Sequence, residues 1–133
     1  MTTKVCVKVS ELRKQGYSDF EDWLFIKNNV YVGRKGRIYP YSPDKRIFHY
    51  NNSKWYNPFK VTKEMSVDES LKKYTDYLIQ SGLIHDIKEL NGKNLGCWCL
   101  GDNCHAKILT NIANGEFLSE LIDWFDLFLF LEE

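Results

Sequence analysis

Neither sign of charge is in excess in this chain, where 18 lysines and arginines balance 18 aspartates and glutamates over 133 residues. With no surplus of cations to displace counterions from phosphates, nucleic-acid binding by bulk electrostatics is excluded, and only a local cationic patch remains open. Long apolar runs are lacking as well. The most apolar stretch, "FLSELIDWFDLFLF", is interrupted by Glu120, Asp123 and Asp126 and is too short to span a bilayer. The opening "MTTKVCVKVSELRKQG" has no apolar core of the kind an export signal carries. The expectation is therefore a cytoplasmic protein with no membrane partner and with reduced thiols, so a disulfide framework is not the default. Repeats, low-complexity tracts and linkers are also missing, which predicts one domain over 1–133. No C-x-x-C pair occurs, which removes the strongest zinc-finger signature.

What is present is concentrated. "NLGCWCLGDNCHAK", residues 94–107, holds three of the four cysteines and one of the three histidines. On a strand, Cys97 and Cys99 share a face and Trp98 takes the other. The Leu100-Gly101-Asp102-Asn103 turn then delivers Cys104 and His105 to the start of a helix, where unpaired N–H groups favour negative charge. Three readings follow. Cys97, Cys99, Cys104 and His105 hold a metal, with zinc the first candidate and Cys6 an alternative fourth ligand. Or Cys104 or Cys99 is a nucleophile with His105 as its base, His49 and His85 being weaker candidates. Or the thiols are core packing, a common fate of free cysteine. Adjacent helical residues diverge by about 100°, so Cys104 and His105 can serve one ion only if the backbone is irregular between them.

A second stretch, "SKWYNPF" at 53–59, brackets an amide with aromatics. Trp55 and Asn57 would suit a planar heterocycle, through stacking and an amide edge that donates and accepts. The competing reading is a rigid turn, with Asn57 extended before Pro58 and the aromatics as anchors. Arg34, after Val32-Gly33, is a candidate for a phosphate or carboxylate. Arg34, Lys35, Arg37, Lys45 and Arg46 fall within thirteen residues and suggest a cationic mouth, the alternative being solvated loop cations with an acidic helix face elsewhere.

Periodicity predicts strands near Lys4–Val9 and over "NNVYVGR", and helical turns between them ending near Ile26. A long ordered loop, with a hairpin as an option within it, follows over Gly36–Pro58. The clearest helix is "SVDESLKKYTDYLIQSG", capped by Ser66 with Glu69 and stopped by Gly82. A short helix over Ile84–Leu90, a buried strand at "NLGCWC", a helix from Cys104 to Ala113 and a last one over 118–131 complete the chain. The fold class expected is α/β, with a short mixed or parallel sheet flanked by helices and a ligand crevice at the strand ends. The last helix is apolar on most faces and would either cap the core or form a homodimer interface.

In order, "VYVGR", "SKWYNPF", "GKNLGCWC" and "CH" resemble an uncharacterised domain family marked by NPF and CWC motifs and found in bacteria, phages and large DNA viruses. The likeness covers about 28–114, leaving 1–27 as an N-terminal extension and 118–131 as a C-terminal helix. Leu100-Gly101 and Ala106 stand where many relatives have a proline and a glycine, so the turn geometry is expected to differ. The resemblance implies that Arg34, Trp55, Asn57 and the cysteine cluster form one site. It supplies no activity. With a composition rich in Lys, Asn, Tyr and Ile, it also suggests a viral source, and thus a host cytoplasm or virion.

The function expected is an enzyme processing a nucleotide, nucleobase or modified nucleic acid, with Cys104, His105 and Cys99 catalytic and Arg34, Trp55 and Asn57 binding substrate. The alternative is a zinc-stabilised, non-catalytic module that binds nucleic acid or protein.

Overall fold

Three short parallel strands carry the architecture: β1 (Thr3–Cys6), β2 (Asn29–Tyr31) and β5 (Asn94–Cys97), in the order β1-β5-β2. The structure, a computed structural model, describes residues 1–40 and 46–115. The helix expected over 118–131, the dimer expected through it, and Lys45 lie outside the described residues. Helices α1 (Val9–Lys14) and α2 (Phe20–Leu24) connect β1 to β2. Between β2 and β5 come an antiparallel pair, β3 (Gly36–Ile38) with β4 (Phe48–Tyr50), then α3 (Val67–Gln80) and a 3-10 helix (Leu83–Leu90). Helix α4 (His105–Ala113) follows β5. This is the small α/β fold that the sequence predicts. The long loop resolves into the β3–β4 pair and an irregular segment up to α3.

The central strand shows why the sequence folds this way. Side chains alternate across a strand, so Leu95 and Cys97 enter one core with Val32, Trp55, Tyr74, Leu78 and Leu109. Gly96 points to the opposite core, formed by Val7, Leu12, Phe20, Trp23 and Tyr31. A β-carbon at Gly96 would collide with the Trp23 ring and Val7, so only glycine lets α2 lie this close to the sheet. Val30 and Val32 alternate with Tyr31 in the same sense on β2. Residues 1–27, set apart by the family resemblance, supply β1, α1 and α2 and are therefore integral to the sheet and its second core.

Helix α3 begins as predicted: the Ser66 hydroxyl accepts the Glu69 N–H at 3.2 Å. Its buried stripe runs through Ser70, Tyr74, Leu78 and Ile79, whereas Val67 stays 38% exposed. The first apolar positions of that helix therefore face a cleft rather than the core. Helix α4 is tied at its far end, where the Asn114 amide pairs with both the N–H and the carbonyl of Thr2, at 3.0 and 2.9 Å. Because β2 and β5 run parallel, their carboxyl ends, Val32-Gly33-Arg34 and Trp98-Cys99, open at the same edge of the sheet. Among the described residues, no helix is long and apolar enough to cross a membrane.

Candidate functional site

The thiols of Cys97, Cys99 and Cys104 converge at that edge, with their sulfurs all within 4.8 Å of one another. Cys97 ends β5 and Cys104 is the N-cap of α4; both are buried, while Cys99 is exposed. Cys104 has extended dihedrals, φ −151° and ψ 144°, so the irregular backbone required between Cys104 and His105 is present. Zinc–sulfur bonds of about 2.3 Å place tetrahedral sulfurs about 3.8 Å apart. The cluster would have to tighten by no more than about 1 Å to surround an ion. Cys6 is in register with Cys97 across the ladder but is not part of this group.

The thiols share charge unevenly. A hydrogen bond from Cys104 lowers the Cys97 pKa against the opposing effect of burial. Donating that bond, together with burial, pushes Cys104 up to about 12. Burial also raises Cys99. The N-terminus of α4 alone would favour a Cys104 thiolate, but its hydrogen bond with Cys97 and its burial outweigh that and favour the protonated thiol. A cation entering the cluster would take the place of such shared protons.

His105 lies beside the Cys104 thiol and is anchored from its other side. Its Nε2–H donates to the Val32 carbonyl at 2.6 Å, and since that carbonyl can only accept, the tautomer of the neutral ring is fixed. Nδ1 then carries the lone pair, 4.0 Å from the Cys104 sulfur. The ring meets Tyr74 edge-on at 5.1 Å. His105 is not one of the three mutually close ligand groups, and its Nε2–H bond to the end of β2 leaves Nδ1 as the nitrogen open toward Cys104.

The NPF loop is placed differently from the expectation too. Trp55 is 3% exposed in the core, its carbonyl accepts the Tyr74 hydroxyl at 2.6 Å, and it does not line the cleft. The ring that would have to stack on a ligand is used here for packing. Asn57 lines the cleft, but its side chain is spent internally. Oδ1 accepts the Phe59 N–H at 2.9 Å and Nδ2 donates to the Ser70 hydroxyl at 3.0 Å. What Asn57 offers is its backbone carbonyl, which accepts from Arg34 Nε at 2.9 Å.

From there a chain of hydrogen bonds crosses the site. The Arg34 carbonyl accepts the Tyr31 hydroxyl at 2.6 Å, and that hydroxyl accepts Trp98 Nε1–H at 3.0 Å. The NPF loop, the strand-end arginine and the CWC tryptophan are thus linked in series. Burial pushes the Tyr31 hydroxyl well above its ordinary range, so it stays a neutral relay.

These residues line one open cleft of about 700 Å³. Its cations are Arg34, Lys35 and Lys60, and no aspartate or glutamate is among the lining residues. Phe59, Val61, Val67 and Leu71 form an apolar wall, and Cys97, Cys99, Cys104 and His105 are at the thiol end. Of the cationic run, Arg34 and Lys35 reach this cleft. Arg46 lines a separate cavity of about 360 Å³ beyond Trp98, which contains no thiol and no histidine. His49 and His85 line neither. Lys60 and the apolar wall went unrecognised in the sequence; the usable signal was the position of Lys60 and Val61 directly after the NPF motif.

Fold and site together define a small α/β protein with a strand-end thiol cluster that could hold a metal, beside a cationic cleft. Residues 17–115 match the model of the family described as "Domain of unknown function (DUF4326)", and the chain belongs to that family. The chain is also similar to "Uncharacterized protein R718" of Acanthamoeba polyphaga mimivirus, with 34% identity over 93 residues. That similarity covers 63% of this chain and 65% of the relative, a little under two thirds of the relative's length. No solved structure matches.

Proposed function

We propose that this protein is a metal-dependent enzyme of nucleotide or nucleic-acid chemistry, with Cys97, Cys99 and Cys104 holding one zinc ion. The observation that carries this reading is the convergence of three thiols, one of them exposed, at the end of a cleft with cations and no carboxylate. Three protein ligands leave a fourth position open, the arrangement of catalytic rather than structural zinc. Zinc there would supply a Lewis acid at the edge of the cleft. The chain's own residues supply the rest. His105 Nδ1 is the nearby base that receives a proton leaving Cys104. Arg34, Lys35 and Lys60 draw an anionic substrate in and compensate the negative charge of three thiolates.

A second reading, zinc as a staple in a non-catalytic binding module, draws on a different observation: Cys97 and Cys104 are both members of the main core. Cobalt substitution separates the two. After reconstitution of the full chain, about one metal ion per chain is expected, with a visible spectrum that shifts on adding thiocyanate as an external ligand. A spectrum indifferent to thiocyanate, with unfolding on chelation, would establish the staple. Reconstituted protein that binds no metal would end both readings.

A further inference from the structure

Arg34 is presented as a fork. Its Nε is occupied by the Asn57 carbonyl, and its two terminal nitrogens have no acceptor among the described residues. The arginine is half-buried, so its orientation is set by the loop and not by solvent. Lys35 and Lys60, both exposed, line the same cleft, which has no acidic residue to neutralise them. A pre-aimed guanidinium with two free parallel donors matches two oxygens of a phosphate. The apolar wall indicates what else the ligand carries. Val61 is 55% exposed and Val67 38% exposed, beside half-buried Phe59 and Leu71. Inorganic phosphate alone would leave that surface in water, whereas a flat, weakly polar ring would cover it.

We infer that the cleft binds a free nucleotide, with its phosphate on Arg34, Lys35 and Lys60 and its base against the wall of Phe59, Val61, Val67 and Leu71. A mononucleotide fits the dimensions. A cavity of about 700 Å³ is in the class of small-molecule sites, while single-stranded nucleic acid is tracked by an extended cationic groove. With those three cations set aside, acidic side chains outnumber basic ones in the rest of the chain. The inference rests on the cleft being the substrate site of the proposed enzyme, but the phosphate contacts require no metal.

The test is equilibrium binding to the full chain by calorimetry. The probes are the four common nucleoside 5′-monophosphates, the matching nucleosides, inorganic phosphate, and a single-stranded decanucleotide without terminal phosphates. At least one monophosphate is expected to bind about tenfold or more tightly than its nucleoside, with inorganic phosphate competing. Arg34→Lys, which keeps the charge but loses the fork, should weaken that affinity about tenfold, and Lys60→Ala several-fold, with zinc content unchanged in both. Equal binding of nucleoside and nucleotide would overturn the inference, as would no binding by any of the four. So would tighter binding of the decanucleotide with a steep salt dependence, which would assign the cleft to a strand. Cys99→Ser keeps the two failures apart. Lost zinc with intact nucleotide binding upholds this inference whatever becomes of the metal reading, whereas full zinc content without nucleotide binding overturns this inference alone.

Discussion

Asn57→Ala separates the two roles that the NPF loop can have, and its cost follows from the hydrogen bonds the side chain makes. In the folded chain the amide bridges the Phe59 N–H, at 2.9 Å, and the Ser70 hydroxyl, at 3.0 Å, with the residue 8% exposed. Truncation removes both bonds, each of them contributing about 1 kcal/mol net. The Ser70 hydroxyl still donates to the Phe59 carbonyl, so only the Phe59 N–H is left stranded. Leaving such a partly buried donor unpaired adds about 1–2 kcal/mol, for a total of about 3–4. Urea unfolding should show this as a lower midpoint with an unchanged slope, and the melting temperature should fall by about 10 °C. Nucleotide affinity should fall as well, because the carbonyl that aims Arg34 is in the same turn. Ser70→Ala in a double-mutant cycle should couple to Asn57→Ala by about 0.5 kcal/mol or more. A stability loss below about 0.5 kcal/mol, together with abolished binding, would refute this reasoning and restore Asn57 as a direct reader of the ligand.

Three further outcomes can be checked on the same scale. Trp98→Phe keeps the ring between Phe20 and Tyr50 but removes the N–H to the Tyr31 hydroxyl. It should cost about 1 kcal/mol in urea unfolding and weaken nucleotide binding with zinc stoichiometry intact. Gly96→Ala forces a methyl group into Trp23 and Val7, so a loss of about 1–3 kcal/mol is expected, and a neutral result would disprove the close approach of α2 to the sheet. Burial raises the pKa of both Tyr31 and Tyr74, so above about pH 10 the unfolded chain has lost those protons while the folded chain still holds them. That stability is complete below pH 10 and falls as pH rises, by about 1.4 kcal/mol per pH unit for each tyrosine. A flat denaturation midpoint between about pH 10 and 11.5 would contradict the burial of both rings.

The sequence made the elements legible where one local rule acted without competition. Ser66 and Gly82 bounded α3, and the alternation around Tyr31 gave β2 its two faces. The spacing of Cys97, Cys99 and Cys104 was enough to expect convergence, because a strand end and a helix start meet across a tight turn. Roles within the NPF loop were less legible, since sequence shows which groups a residue owns and not which are already in use. Trp55 and Asn57 carry the groups that would read a heterocycle, yet one ring fills the core and the amide closes its own turn. His105 is a related case: sequence places a histidine beside a cysteine, but not the carbonyl 73 positions away that takes Nε2 and so decides which ring nitrogen is open. The β3–β4 pair, three residues in each strand, was too short to give a period.

The hydrogen-bond chain gives a physical reason for these motifs to occur together. Asn57 fixes the arginine through a backbone carbonyl, the arginine fixes Tyr31 through its own carbonyl, and Trp98 fixes Tyr31 from between the two cysteines of the CWC motif. Every link spends a polar group of a motif residue on position and not on a ligand. What stays unspent is the fork of Arg34 on one side and the thiols on the other. The separation between the Arg34 fork and the thiol cluster is then set by three hydrogen bonds running from the NPF loop to the end of β5. Such an arrangement suits chemistry in which a ligand held by its phosphate must present another atom to the thiol end at a fixed reach. It also means that loosening a link should impair anion binding at Arg34 while the thiols, held by β5 and α4, keep their capacity for the proposed zinc ion. A merely stapled fold would show no such split, because its metal and its surface cleft would have no reason to be tied through Trp98.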